Sequence, residues 1–359
     1  MARCPPVRVE SSAVPETIGR QFRAAVGGFA SAGKPLILGH FDADGLSAAA
    51  ILARAFERSG RPADIRLVGK GENPWSPAMR AELAKRAPAG LIVADLGVRH
   101  GELAPGISTI LIDHHVPTGL PQGATVISGH GLDPEPSSSL LAYWCAAALG
   151  PVDDLLWLAA LGLIGDMADG AGCPELGEAQ RRYGKTALRD AVSLINAPRR
   201  AAAADAAPAL ALLMKGEGPK DVTSGRHPET AALLAAKAEV RDALDLAKRV
   251  GPKVRGDVAL VRFSSPCQVH PLVAQQWRAR LKDKIVLAAN TGYRPGWVHF
   301  AARTAGEANL IDFLAERRPR GADENYGSGH IKATGGALRP DDWNEFVTGL
   351  GFPEEQVDA

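Results

Sequence analysis

The sequence predicts an α/β protein of two α/β domains, the first built on a mainly parallel sheet. Three observations carry that expectation. Short apolar runs stop abruptly at acidic or imidazole groups, at His40, Asp95 and Asp113. Stretches with helical spacing lie between those runs. The alternation returns in the last hundred residues with strands and helices of its own. Near-continuous apolar strands separated by helices are what a parallel sheet covered on both faces requires, and the C-terminal ends of its strands are where such sheets collect ligands.

Taken in order, PLILGH from Pro35 reads as a strand, and Leu46 to about Arg58 reads as a helix with Asp44-Gly45 at the junction. DIRLVG at 64–69 is a short strand, PAMRAELAKRA a helix, and AGLIVADLG and STILIDHH are strands ending at Asp95 and at Asp113, His114 and His115. ATVISG adds a further strand. SSSLLAYWCAAALG reads as a helix introduced by a serine cap, and DDLLWLAALGLIGDMADG as a helix ending near Asp166 to Gly170. Composition then shifts to Ala, Pro, Gly and Lys, which suggests a connector over 197–255 that includes a polar helix at about 229–250. This places a first domain at 20–196. A second domain at 256–345 has strands DVALVRF, KIVLAAN and WVHFAAR, helices HPLVAQQWRARL and NLIDFLAERRP, and a glycine-rich end NYGSGHIKATGG before a last helix around DDWNEFVTGL.

The 359 residues, 46% hydrophobic, are enough for a substantial core. Forty-one basic and 40 acidic residues give a net charge of +1, so no global field recruits nucleic acid. Cys4, Cys145, Cys173 and Cys267 lack paired metal-ligand spacing, and a buried thiol is the ordinary reading of Cys145. No signal segment and no long charge-free run stands out, so the expectation is a soluble, cytoplasmic protein without a membrane partner.

GHFDADG, Gly39 to Gly45, concentrates His40, Asp42 and Asp44 where a strand hands over to a helix. In an extended segment the three would share one side. A lone Asp here would be read as a helix cap, but one cap does not need three groups. Adjacent buried carboxylates repel and are expensive to desolvate, so a divalent cation is the natural partner. Asp95, the Asp113-His114-His115 triplet and Asp166 extend the set. Mixed oxygen and imidazole donors suit manganese, and also magnesium, cobalt or zinc, better than a thiolate site would. Ser137 to Ser139 are read as the cap and first turn of a helix.

These elements, GHFDADG, Asp95, LIDHHVP, Asp166 after LGLIG and the distal GSGH, together resemble the DHH phosphoesterase superfamily over about Lys34 to Gly336. The resemblance implies two metal ions in an N-terminal α/β domain, a DHH-associated C-terminal domain that contacts substrate, and an active site in the cleft between them. Carried over, it makes His40, Asp42, Asp44, Asp95, His114 and Asp166 the metal ligands, with Asp95 bridging. His115 would face the phosphate, and Asp113 would ligate weakly or orient the histidines. In the distal domain it implies phosphate contacts from Arg303, the turn Gly327-Ser328-Gly329, His330 and Lys332, although the family usually has glycine where this chain has Ser328. His270 stays outside that set.

The compact H-x-D-x-D-G form is similar to the single-strand-specific exonucleases, while the short chain and balanced charge favour the short substrates of the oligoribonuclease (nanoRNase) branch. The expected function is a two-metal phosphodiesterase that degrades short single-stranded DNA or RNA from the 5′ end with Mn2+, Mg2+ or Co2+. Alternatives are a cyclic or linear dinucleotide phosphodiesterase, a 3′,5′-nucleoside bisphosphate phosphatase, and a catalytically inactive nucleic-acid-binding module. A homodimer is a family possibility that periodicity does not establish.

Overall fold

A computed structural model describes residues 13–166, 172–323, 326–327 and 329–358. The chain divides into two units, one of residues 1–199 and 204–234 and one of residues 200–203 and 235–359.

The first unit begins with α1 (Ala13–Val26), β1 (Leu36–His40), α2 (Ala43–Arg58), β2 (Asp64–Val68), α3 (Pro77–Arg86), β3 (Leu91–Ala94), β4 (Thr109–Asp113) and β5 (Ala124–Ser128). All five strands are parallel, in the order β2-β1-β3-β4-β5. Strand residues alternate between two cores because successive side chains leave opposite faces. Ile37, Ile92, Ala94, Ile110 and Ile112 pack on the helical side with α2. Leu36, Leu38, Leu91, Val93 and Leu111 pack on the other side with Met79 and Leu83 of α3. Both faces are thus covered, which is why these strands read as unbroken apolar runs. Register aligns their ends: Gly39 pairs with Ala94, and Ala94 with Ile112. His40, Asp95 and Asp113 consequently emerge side by side.

Helices α4 (Ser138–Ala147), α5 (Leu156–Gly165), α6 (Pro174–Tyr183) and α7 (Lys185–Ile195) follow, then α8 (Ala197–Arg200), α9 (Ala207–Lys215), α10 (Pro219–Thr223) and α11 (Glu229–Ala247). Asp166 is the residue after α5, and 167–170, where the sequence also allows that helix to end, lie outside the described residues. The Ala-rich stretch expected to be a connector contributes Ala209, Leu212, Leu213, Val222 and Leu233 to the helical core of the first unit. Arg54 of α2 holds it by donating to the carbonyl of Gly216 at 2.8 Å. Low complexity concealed a packed apolar face.

The second unit has a six-stranded sheet in the order β10-β11-β9-β8-β7-β6. Its elements are β6 (Lys253–Arg255), β7 (Val258–Phe263), α12 (His270–Arg280), β8 (Ile285–Arg294), β9 (Trp297–Thr304), α13 (Leu310–Ala315), β10 (Gly329–His330), β11 (Ala333–Leu338) and α14 (Pro340–Gly349). Only β7 and β8 run parallel. One face packs on Trp343, Phe346 and Val347 of α14, the other on Val273 and Ala274 of α12. Cys145, Cys173 and Cys267 are free and buried. Among the described residues, no helix is long and apolar enough to cross a membrane.

Candidate metal centre

The GHFDADG segment is not an extended strand. β1 stops at His40, and Asp42 caps α2 by accepting the Gly45 N–H at 3.1 Å, so the helix starts at Ala43, three residues before the apolar spacing suggests. The expected alternation of His40, Asp42 and Asp44 is therefore lost: His40 and Asp42 stay in one cluster with Asp95, and Asp44 falls into another. Glycine makes the tight handover possible. A Cβ on Gly45 would lie 2.5 Å from His40 Cβ and 2.7 Å from the His40 carbonyl oxygen.

Asp44, in the first turn of α2, reaches the N-terminus of α4. Its Oδ2 accepts the Ser138 N–H at 2.8 Å and its Oδ1 the Ser139 N–H at 2.9 Å. A carboxylate there satisfies two N–H groups that have no partner inside the helix and meets the positive end of its dipole. Ser137, although at the cap position, makes no side-chain cap bond, and its hydroxyl pairs with Ser139 Oγ at 2.9 Å. The cap expected from the serines comes instead from a residue 94 positions away.

Asp95 follows β3 with φ 62°, a left-handed conformation that Asp tolerates better than most side chains. Its N–H donates to the Ile112 carbonyl at 3.0 Å, and its Oδ1 accepts Ser138 Oγ–H at 3.0 Å. From this buried position it faces His40 Nδ1 at 3.5 Å, His114 Nε2 at 3.7 Å and His115 Nδ1 at 3.8 Å. Asp113 is committed otherwise: Oδ2 accepts the Gly97 N–H at 2.7 Å, while Oδ1 takes the His115 N–H at 2.7 Å and its ring Nδ1 at 2.9 Å. That places Asp113 as the group orienting His115, whose side chain is 55% exposed.

Three sets of donor atoms lie close enough to hold a cation: His40, Asp42 and Asp95; Asp44, His114 and Asp166; and Asp95, His114 and His115. Asp95 belongs to two of them. The donors fit a divalent cation on a specific ground. His114 Nε2 and Asp166 Oδ2 stand 2.9 Å apart, yet both are buried atoms without a hydrogen-bond partner. Apart from this ion pair neither atom has a hydrogen-bond partner among the described residues, a shortfall that a bound ion would relieve.

Electrostatics agree with that fit. Burial opposes charge on His40, but Asp42 and Asp95 overcome it and raise its pKa to about 10. For His114, burial is likewise outweighed by Asp166, Asp44 and Asp95, again to about 10. The hydrogen bond that its ring donates to Asp113 lifts His115 to about 9. Burial, then the Asp42 charge, pushes Asp95 up to about 6, and burial with Asp95 and Asp166 raises Asp44. Asp42 goes the other way, because His40 and Arg199 outweigh its burial. In the metal-free site the carboxylates and imidazoles balance one another's charge, and a cation that displaced the imidazole protons would take over that role.

Three residues absent from the sequence-based set support this centre. Ser138 holds Asp95, Asn196 Oδ1 accepts the Ala43 N–H at 3.0 Å, and Arg199 Nη1 pairs with Asp42 Oδ2. No spacing rule links residue 199 to residue 42, 157 positions earlier.

In the second unit, Gly327 and Gly329 have φ of 75° and 129°, conformations that favour glycine, and the exposed His330 pairs with Ala333 across β10 and β11. Ser328 lies outside the described residues. Arg303 Nη1 donates to the Ala302 and Thr334 carbonyls at 2.8 and 2.9 Å. Lys332 Nζ donates to the carbonyls of Gly306 and Ala308 at 2.6 and 3.4 Å, an arrangement that pins the loop before α13.

No protein-family model matches the sequence, and no curated protein matches it. Solved structures do. A manganese-bound exonuclease RecJ has a TM-score of 0.59 at 18% identity, over 98% of this chain and 99% of that one. RecJ of Thermus thermophilus in complex with Mn2+ has a TM-score of 0.63 at 19% identity over 97% of this chain, which spans 56% of the Thermus protein. The DHH domain of a member of a family of ribosomal proteins has a TM-score of 0.61 at 15% identity, over 96% of this chain and 92% of that one. These likenesses are ones of fold: the chain folds like the two RecJ structures and the DHH domain.

Proposed function

We propose that the protein is a metal-dependent phosphodiesterase that hydrolyses short single-stranded nucleic acid from the 5′ end, with manganese as its best cofactor. The observation that carries this reading is a chain of shared donors, in which Asp95 joins His40 and Asp42 to His114, and His114 in turn joins Asp44 and Asp166, a layout suited to a pair of divalent ions. The resemblance of the motifs and the manganese bound by two proteins of the same fold support the choice of metal. Bound divalent cations would supply Lewis-acid polarisation of a phosphate and a water activated as nucleophile.

The chain's own residues do the rest. His40, Asp42, Asp44, Asp95, His114 and Asp166 hold the ions. Ser138 and the α4 N-terminus fix the carboxylates of Asp95 and Asp44, so no reorganisation is needed when charge develops. His115, with Nδ1 held by Asp113 and a pKa of about 9, carries a proton at neutral pH and presents Nε2–H to a phosphate oxygen. His330, with Gly327, Ser328, Gly329, Arg303 and Lys332, is the candidate set for positioning a second phosphate.

The test compares a 5′-labelled DNA ladder, short RNAs, cyclic and linear dinucleotides and adenosine 3′,5′-bisphosphate under manganese. Stepwise shortening of the oligonucleotides is expected. Inert oligonucleotides beside fast turnover of a small substrate would defeat the nuclease reading, and binding without any metal-dependent cleavage would defeat the enzyme reading.

A further inference from the structure

The Asp42 carboxylate is engaged on every side. Oδ1 accepts the Gly45 N–H and lies 3.1 Å from His40 Nδ1, and Oδ2 faces the Arg199 guanidinium. Yet Asp42 also belongs, with His40 and Asp95, to a cluster shaped for a cation. A guanidinium and a divalent ion compete for the same lone pairs, and the doubly charged ion is the stronger competitor in a partly desolvated site. Arg199 is otherwise lightly held. Its Nε is buried without a hydrogen-bond partner, and its side chain is 23% exposed.

We propose that Arg199 stands in for the metal at Asp42 and is released when the metal binds, so that its guanidinium becomes available to a phosphate oxygen of the substrate. The inference rests on the metal-centre reading above. It makes loading ordered: cation first, anion second. An arginine next to a divalent ion is repelled by it and drawn to the phosphate that the ion also binds, and its planar fork matches two phosphate oxygens in a way an ammonium does not. In the absence of metal the same side chain, together with His40, neutralises the largely buried Asp42 carboxylate.

Isothermal titration of the full chain with Mn2+ alone, followed by deoxyadenosine 5′-monophosphate on the manganese-loaded protein, tests this in the wild type, Arg199→Gln and Arg199→Lys. Arg199→Gln is expected to bind manganese about tenfold more tightly, since a competing charge is gone. It is expected to bind the nucleotide at least about tenfold more weakly. Arg199→Lys, which keeps the charge, should return manganese affinity towards the wild-type value but recover nucleotide affinity only in part. If Arg199→Gln does not melt cooperatively, the contrast between the two affinities of Arg199→Lys carries the test. A purely structural ion pair predicts unchanged or weaker manganese binding in Arg199→Gln, and either result overturns the proposal. The two readings fail separately: a wild type that binds manganese but leaves oligonucleotides intact defeats the nuclease function, not this coupling.

Discussion

Ser138 Oγ donates to Asp95 Oδ1 at 3.0 Å while the N–H of the same residue donates to Asp44 Oδ2 at 2.8 Å. One serine at the start of α4 thus fixes two carboxylates that belong to different donor clusters. Replacing it with alanine removes the hydroxyl but keeps the N–H contact. Ser138→Ala is expected to cost about 1 kcal/mol of stability and about tenfold to a hundredfold in manganese affinity. Thermal melting and metal titration measure the two; unaltered metal affinity would show that Asp95 is held well enough without it.

Asp44 and Asp166 share a cluster but differ in what else they hold. Asp44→Ala leaves two buried N–H groups of α4 unsatisfied, so the metal-free protein should lose about 2 kcal/mol. The Asp166 carboxylate accepts no backbone N–H among the described residues but pairs with His114 Nε2 at 2.9 Å, so Asp166→Ala should lower metal-free stability by about 1 kcal/mol, and only at a pH where His114 is protonated. Both variants should bind less manganese. Denaturant melts with and without metal separate the roles, and equal destabilisation by the two changes would contradict this assignment.

Protons and metal compete for the histidines. His40 and His114 have pKa values of about 10 in the folded protein against an ordinary 6.5, so their contribution to metal-free stability is complete below 6.5 and fades as pH rises towards 10. Asp95, raised to about 6 from 3.8, likewise contributes below 3.8 and loses that contribution as pH rises through about 6. Metal binding must expel the histidine protons. The rise in melting temperature on adding manganese should therefore be larger at about pH 8 than at about pH 6. A shift independent of pH would argue against imidazole ligation.

Gly162 lies where α5 crosses the centre. A Cβ there would sit 2.0 Å from Ser139 Oγ and 2.1 Å from Asp44 Oδ1. Gly162→Ala is expected to cost at least about 2 kcal/mol and to disturb the Asp44 cluster, visible as weakened manganese binding. A variant with native melting and native metal affinity would show that α5 has room to move.

His330→Ala should leave metal content unchanged, because His330 belongs to the glycine-rich turn of the second unit and to none of the three donor clusters. Under the proposed role of His330 as a phosphate-positioning group, weaker substrate affinity and slower single-turnover cleavage are expected. Metal analysis beside stopped-time cleavage reads both. Loss of metal from a folded His330→Ala would show that the residue serves the metal centre instead.

Local pattern is enough to place the first sheet and the polar groups at its edge. Unbroken apolar runs in β1, β3 and β4 announce strands buried on both faces, and polar residues immediately after them must lie at the strand ends, so His40, Asp95 and Asp113 were legible from local pattern alone. How those groups are shared out depends on packing between distant elements. Extended alternation placed Asp44 beside His40, but the Asp42 cap starts a helix that turns Asp44 towards α4 and into the cluster of His114 and Asp166. Ser138, Asn196 and Arg199 could not be read at all, because a hydrogen bond or ion pair between residues 43, 153 or 157 positions apart leaves no periodic trace. Periodicity records which face of an element is buried; it carries no record of which distant side chain completes a buried charge.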